Sequence, residues 1–149
     1  MGVVAQEGGR LHALHHETLV LGDGPFPERI GRLYAGLEAV LARCPVDAAA
    51  VETVYVKKNA DSALKLGQAR GAALAALVQQ GLAVGEYSPG TIKEAVVGKG
   101  QAGKDQVGFM VRRLLGLTEA PGEDAADALA VAVCHLHHQQ ASARLGVGR

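Results

Sequence analysis

Apolar residues at Ile30, Leu33, Tyr34, Leu37, Val40, Leu41 and Cys44 recur at the three- and four-residue steps of an α-helix. Pro27 suits the first turn of that helix and Pro45 closes it. Upstream, residues 2–5 and 11–21 flank Gly8-Gly9 and predict a β-hairpin, cut off by Gly22-Asp23-Gly24-Pro25. The apolar run at 48–55 predicts a buried strand. A helix follows from Asp61 or Ser62 to Gln80, stopped by Gly81, and 82–87 predicts another short strand. Pro89 opens a helix to about Val97, 98–103 is a Gly/Lys loop, and 104–115 has the pattern of a basic amphipathic helix. The last helix is expected from Gly122 or Glu123 to His138, with a frayed, flexible tail over 141–149.

The order β-β-α-β-α-β-α-α-α predicts an α/β fold, a hairpin leading into crossover units with helices flanking a mixed sheet. With 149 residues and no repeat or linker, residues 1–149 are expected to form one domain that needs no disulfide staples. Cys44 and Cys134 both lie inside helical apolar patterns, which predicts buried, inert thiols and a reducing compartment. No stretch approaches the roughly 18 apolar residues of a membrane span, and the N-terminus lacks the basic start of a signal peptide. A soluble, cytoplasmic protein with no membrane partner is expected.

Net charge is zero, but it is unevenly distributed. Residues 51–116 hold nine Lys/Arg against five Asp/Glu, and the flanks carry the compensating acids. Such a basic middle suits a polyanion, although solvated helix faces would give the same count.

Three carboxylates stand in apolar surroundings: Glu52 within 48–55, and Asp124 and Asp127 among the alanines of the last helix. A buried carboxylate must be paired, hydrogen-bonded or bound to a cation, so the three together suggest a metal site. Asp124 and Asp127, three apart, project from one helical face. For Asp124 a second reading is a helix N-terminal acid held by the macrodipole. Carboxylates without a Cys/His quartet select Mg²⁺ or Mn²⁺, ions that retain water and accept phosphate oxygens, which points to phosphoryl transfer. Cys134, His137 and His138 have a spacing that could hold zinc, but no fourth ligand completes it, and His12, His15 and His16 are expected on the hairpin surface. The 98–104 loop lacks the phosphate-loop pattern, yet Lys99, Lys104 and its amides would suit a DNA phosphate. Aromatics are only 3%, leaving Tyr55 as the leading base-stacking candidate, with a core tyrosine as the alternative. Ala63, Gly67 and Gly71 line one helical face, for packing on the chain's own sheet or for a subunit interface.

Taken together these residues resemble the RuvC family of Holliday junction resolvases. The longest resemblance is at 51–71, containing Asn59-Ala60-Asp61-Ser62-Ala63-Leu64-Lys65-Leu66-Gly67-Gln68-Ala69-Arg70-Gly71. Val96-Val97-Gly98, Lys104 with Gln106-Val107, Met110-Val111-Arg112 and Asp124-Ala125-Ala126-Asp127-Ala128-Leu129-Ala130 continue it in order. The resemblance implies a ribonuclease-H-like mixed sheet flanked by helices. It also implies a homodimer that makes paired Mg²⁺-dependent incisions across four-way junction DNA in recombination and repair, beside the branch-migration helicase complex of RuvA and RuvB. By the same resemblance, Glu52, Asp124 and Asp127 are metal ligands, and Lys93 and Lys104 lie near the scissile phosphate. Tyr55 would contact junction bases, and Lys57, Lys58 and Lys99 would join the DNA-binding surface. The helix near Asp61 would pack across the dimer axis.

The family's first strand, ending in Gly-Ile-Asp-Pro-Gly with a fourth acidic ligand, has no match here, and Met1-Gly2-Val3-Val4 resembles the start of the second strand. This predicts either a natural chain that starts upstream or a catalytically deficient junction-binding dimer.

Overall fold

The computed structural model describes residues 1–53 and 59–146. Its element order is the expected one: β1 (Gly2–Glu7), β2 (Arg10–His16), α1 (Phe26–Arg43), β3 (Ala48–Glu52), α2 (Ala60–Gln79), β4 (Ala83–Tyr87), α3 (Pro89–Val97), α4 (Lys104–Leu114) and α5 (Glu123–Arg144). Among the described residues the strands form two two-stranded sheets, β1 with β2 and β3 with β4, rather than one continuous ladder. The fold is α/β, with helices flanking these small sheets. The chain divides into two compact units, residues 1–18 with 87–149, and residues 19–86.

In the first unit, β1 and β2 pair antiparallel from Gly2↔His16 to Glu7↔Arg10. The register slips between Val3 and Val4, which face His15 and Ala13, so Leu14 is the extra residue of a bulge and stays 59% exposed. The hairpin packs on α5, whose buried side chains include Ala125, Leu129, Ala130, Val133 and Cys134. At Gly2 the approach is close: an added Cβ would lie 2.9 Å from both the Leu129 backbone nitrogen and Cδ2. Only a residue without a side chain lets β1 lie so near the helix. Helices α3 and α4 cover α5 with Ile92, Val96, Val107 and Val111.

Local chemistry sets the helix ends of this unit. Ser88 Oγ accepts the Thr91 N–H at 3.1 Å and caps α3, with Pro89 in its first turn. Gly98 ends α3 in the left-handed region, φ 82°, its N–H donating to Glu94 O at 2.8 Å. A Cβ at Gly98 would meet nothing within 4 Å. Gly98→Ala is therefore expected to cost about 1 kcal/mol through backbone strain alone. Urea denaturation measures it, and an unchanged midpoint would show that the turn does not need the left-handed residue.

The second unit pairs α1 with α2 and β3 with β4. Pro27 lies in the first turn of α1, as its sequence position predicts. A Cβ on Gly36 would lie 2.8 Å from Leu19 Cδ2, so the glycine makes room for Leu19 on α1. Asn59 Oδ1 caps α2, accepting the Asp61 and Ser62 N–H groups at 3.0 and 3.3 Å, and Tyr34 donates to Gln79. Gly67 and Gly71 are exposed, and a side chain at either would meet nothing within 4 Å. Leu64 and Leu66 on the same helix are 62% and 50% exposed. Of the small-residue stripe, Gly67 and Gly71 thus have no packing partner among the described residues, whereas Ala63 is half-buried.

Two boundaries differ from expectation. β2 stops at His16 instead of reaching residue 21, its last rung being Glu17 N–H to Met1 O at 3.0 Å, after which Leu19 seats against α1. α5 continues past His138 to Arg144, so the segment after Ala141 begins as exposed helix rather than a frayed tail. Among the described residues, no helix is long and apolar enough to cross a membrane.

Candidate active site

The N-termini of α4 and α5 come together in the first unit. Lys104 is the first residue of α4 and Glu123 the first of α5, and their side chains form an ion pair. Gly103 precedes Lys104, and its N–H donates to Gln106 Oε1 at 3.1 Å, which fixes the first turn of α4. Gly122 precedes Glu123 and its carbonyl accepts the Ala126 N–H at 2.8 Å. The hydrogen bond to Glu123, then its charge, then the charges of Asp127 and Asp124 hold the Lys104 ammonium above its ordinary pKa. Glu123 is correspondingly pushed down by Lys104. The Met1 amine, donating to Glu17 O, lies close enough to feel Asp124, which places the start of β1 at the same end of α5. Two helix N-termini and an ammonium make this surface attractive to a phosphate, and two carboxylates stand beside it.

The structure corrects the argument that singled out the acids. Glu52, Asp124 and Asp127 are all exposed, and no charged residue is buried among the described residues. On α5 the buried positions are 125, 126, 129, 130, 131, 133 and 134, and Asp124 and Asp127 are exposed within the first five residues of the helix, one turn before buried Val131. The alanines around them are small enough to be half-buried without enclosing a neighbour, as at Ala128 and Ala132. Nothing therefore forces a cation by desolvation. The pair still fits a hard ion: two exposed carboxylates three residues apart can contribute oxygens while water and phosphate supply the rest. Among the described residues no group of three or more His, Cys, Asp or Glu is placed to hold a metal.

Lys104, Asp124 and Asp127 are thus brought together, and half-buried Lys93 on α3 and exposed Lys99 in the 98–103 loop belong to the same unit. Glu52 ends β3 in the second unit, where its carbonyl accepts from Arg70 Nε at 3.2 Å and Arg70 also pairs with Glu86. Tyr55, Lys57 and Lys58 lie outside the described residues. Cys134, His137 and His138 point to different partners. The buried thiol, its pKa pushed up to about 11, faces Thr91 O at 3.9 Å; His137 Nδ1 donates to Ala95 O at 3.0 Å; His138 stacks on Tyr87. Cys134 is the expected inert thiol, whereas Cys44 is only half-buried.

Glu123 went unread in the sequence, where it figured only as a possible start of α5. A spacing of 19 residues to Lys104 carries no local signal, and the one clue was an acid at a helix start. Sequence patterning also missed the half-buried cluster in which His135 Nδ1 lies 2.8 Å from the Tyr87 hydroxyl and His135 Nε2 lies 3.0 Å from Gln139 Nε2. Burial, and then His138, lower the His135 pKa.

Comparisons with known proteins fit this arrangement. A family profile described as crossover junction endodeoxyribonuclease RuvC matches residues 1–135. A protein of that name from Alkalilimnicola ehrlichii is 54% identical over 144 residues, covering 97% of this chain and 87% of the relative. One from Paracoccus denitrificans is 51% identical over 142 residues, 95% of this chain and 87% of its own. The Thermus thermophilus RuvC structure superposes with a TM-score of 0.83 at 40% identity, covering 98% of this chain and 89% of that one. The same protein in complex with Holliday junction substrate gives a TM-score of 0.83 at 38% identity, over 98% of this chain and 88% of that one. The α/β fold is thus ribonuclease-H-like, and nothing in these likenesses supports a catalytically deficient variant. Matched from residue 1 to residue 135 and about half identical to such relatives over nearly its whole length, the chain belongs to the crossover junction endodeoxyribonuclease RuvC family.

Proposed function

We propose that this protein is an endonuclease that resolves four-way DNA junctions by paired phosphodiester hydrolysis in recombination and repair. The observation that carries the reading is the convergence of Lys104 with Asp124 and Asp127 at two helix N-termini, in a chain of this family. Asp124 and Asp127 would hold Mg²⁺ or Mn²⁺, and the family resemblance alone adds Glu52 as a further ligand, since no three such groups come together among the described residues. When bound, such ions supply an activated water and stabilise the leaving oxygen. The chain's own residues do the rest. Lys104 meets the scissile phosphate and opposes the charge that grows on its oxygens, while the N–H groups opening α4 and α5 favour the same anion. Lys93 and Lys99, with Lys57, Lys58 and Tyr55, would extend the contact along the DNA arms.

Two nicks related by symmetry require two sites, so a homodimer is part of the proposal. It is supported by α2, where Gly67 and Gly71 leave room for another helix and Leu64 and Leu66 are exposed. Sedimentation showing only monomers at micromolar concentration would overturn it. Work alongside RuvA and RuvB, in the cytoplasm, is part of the same proposal and is supported by the family likeness.

The test is a synthetic four-way junction incubated with the protein and Mg²⁺, against linear duplex of the same sequence. Symmetric nicks in opposite arms are expected; equal cutting of duplex, or none of either, would overturn the reading. Junction affinity should fall steeply with salt, and Lys93→Ala and Lys99→Ala should each lower the slope of log affinity against log salt by about one. An unchanged slope would remove that lysine from the DNA surface.

A further inference from the structure

The Lys104–Glu123 pair raises a question that metal ligation and phosphate binding do not answer. An ammonium at the first residue of a helix is opposed by the dipole of that helix, so Lys104 would ordinarily point to solvent. Instead it is held across to α5 by Glu123, one residue before Asp124 and on the same helical face as Asp127, four residues on. The carboxylate that holds it occupies the donors a phosphate would need, and the pair is exposed, 70% on the lysine side and 67% on the glutamate side. A pair so exposed is weak and exchanges readily.

We infer that Glu123 is a positioning residue for the reaction, an exchangeable counter-ion that parks Lys104 beside Asp124 and Asp127 and is displaced by the scissile phosphate. The inference rests on the proposed contact between Lys104 and DNA. It gives Glu123 two effects. Glu123 sets where the ammonium waits, and it raises the threshold for any phosphate that would take the ammonium, which disfavours casual binding to duplex DNA.

A double-mutant cycle tests this. Binding of a labelled synthetic four-way junction is measured by anisotropy without divalent metal for the unmodified protein, Glu123→Gln, Lys104→Met and the double variant. Glu123→Gln is expected to tighten binding roughly two- to five-fold, the ceiling set by a surface ion pair. In the Lys104→Met background it should have no effect. Equal tightening in both backgrounds would mean simple repulsion between Glu123 and DNA, and no tightening would mean that the glutamate does not compete; either overturns the inference. Glu123→Asp keeps the charge but shortens the reach, so it should tighten binding part of the way, and binding identical to the unmodified protein would also count against a positional role. In single-turnover cleavage with Mg²⁺, Glu123→Gln should lower the half-saturating protein concentration while slowing the maximal rate, a split that mere structural damage does not produce. Should Lys104→Met alone change neither binding nor cleavage, the proposed phosphate contact fails first, and that result differs from the failure of the cycle.

Discussion

Asp127→Asn is expected to slow cleavage of a four-way junction by about 10²-fold or more, because an active site tolerates little displacement of a group that orients the attack. Junction affinity should hold or rise slightly, since removing a negative charge does not weaken phosphate binding. Thermal stability should not change, because Asp127 is exposed and lies beyond the first turn of α5, where the helix dipole has little hold on a carboxylate. Asp124 is the poorer choice: it stands in the first turn, so Asp124→Asn also removes a helix-terminal charge. Single-turnover cleavage, anisotropy and a melting curve on the same Asp127→Asn preparation separate the roles. Parallel loss of binding, cleavage and stability would mark the residue as structural, and full activity would remove it from the metal site. Titration of Mn²⁺ into the variant, followed by electron paramagnetic resonance, should show weaker ion binding independently of turnover.

What could be read from the sequence is set by which interactions are local. The apolar stripe from Ile30 to Cys44, the proline in its first turn and the glycine after Val97 are local, and α1 and α3 lie where these signals put them. The extension of α5 to Arg144 gave no signal of that kind. Gln139, Gln140, Ala141, Ala143 and Arg144 are good helix formers, but a helical end exposed all round has no apolar period to detect. The Leu14 bulge went unread because it depends on the partner strand. At the site, the spacing of Asp124 and Asp127 was legible, as was Lys104 as a loop lysine suited to a phosphate, and the resemblance placed it near the scissile one. Their environment was not legible: an apolar neighbourhood in sequence is not burial in space, and the alanines beside Asp127 leave its carboxylate in water. The contact between Lys104 and Glu123 is purely tertiary, so it became visible only once α4 and α5 were placed.

Leu129→Ala should be the costliest single change in the first unit. Leu129 is fully buried at the centre of the apolar face of α5, against β1, and truncation of such a leucine costs about 2–5 kcal/mol. The companion change is Gly2→Ala, whose methyl group would meet Leu129 Cδ2 and the Leu129 backbone nitrogen, both at 2.9 Å. Overpacking of this kind costs about 1–3 kcal/mol. A side chain can swing aside but a helix backbone cannot, so the two changes should not rescue each other. Truncating Leu129 removes the clash with Cδ2 and leaves the one with the nitrogen. The double variant is therefore expected to be less stable than Leu129→Ala alone, as read from urea denaturation midpoints. It should also lose cleavage more than Leu129→Ala does, because β1 and the start of α5, which carries Asp124 and Asp127, would be forced apart. If the added methyl instead restored stability by filling the space left by Leu129, the approach of strand to helix would be limited by the leucine side chain and not by the backbone, and Gly2 would not be required for that contact.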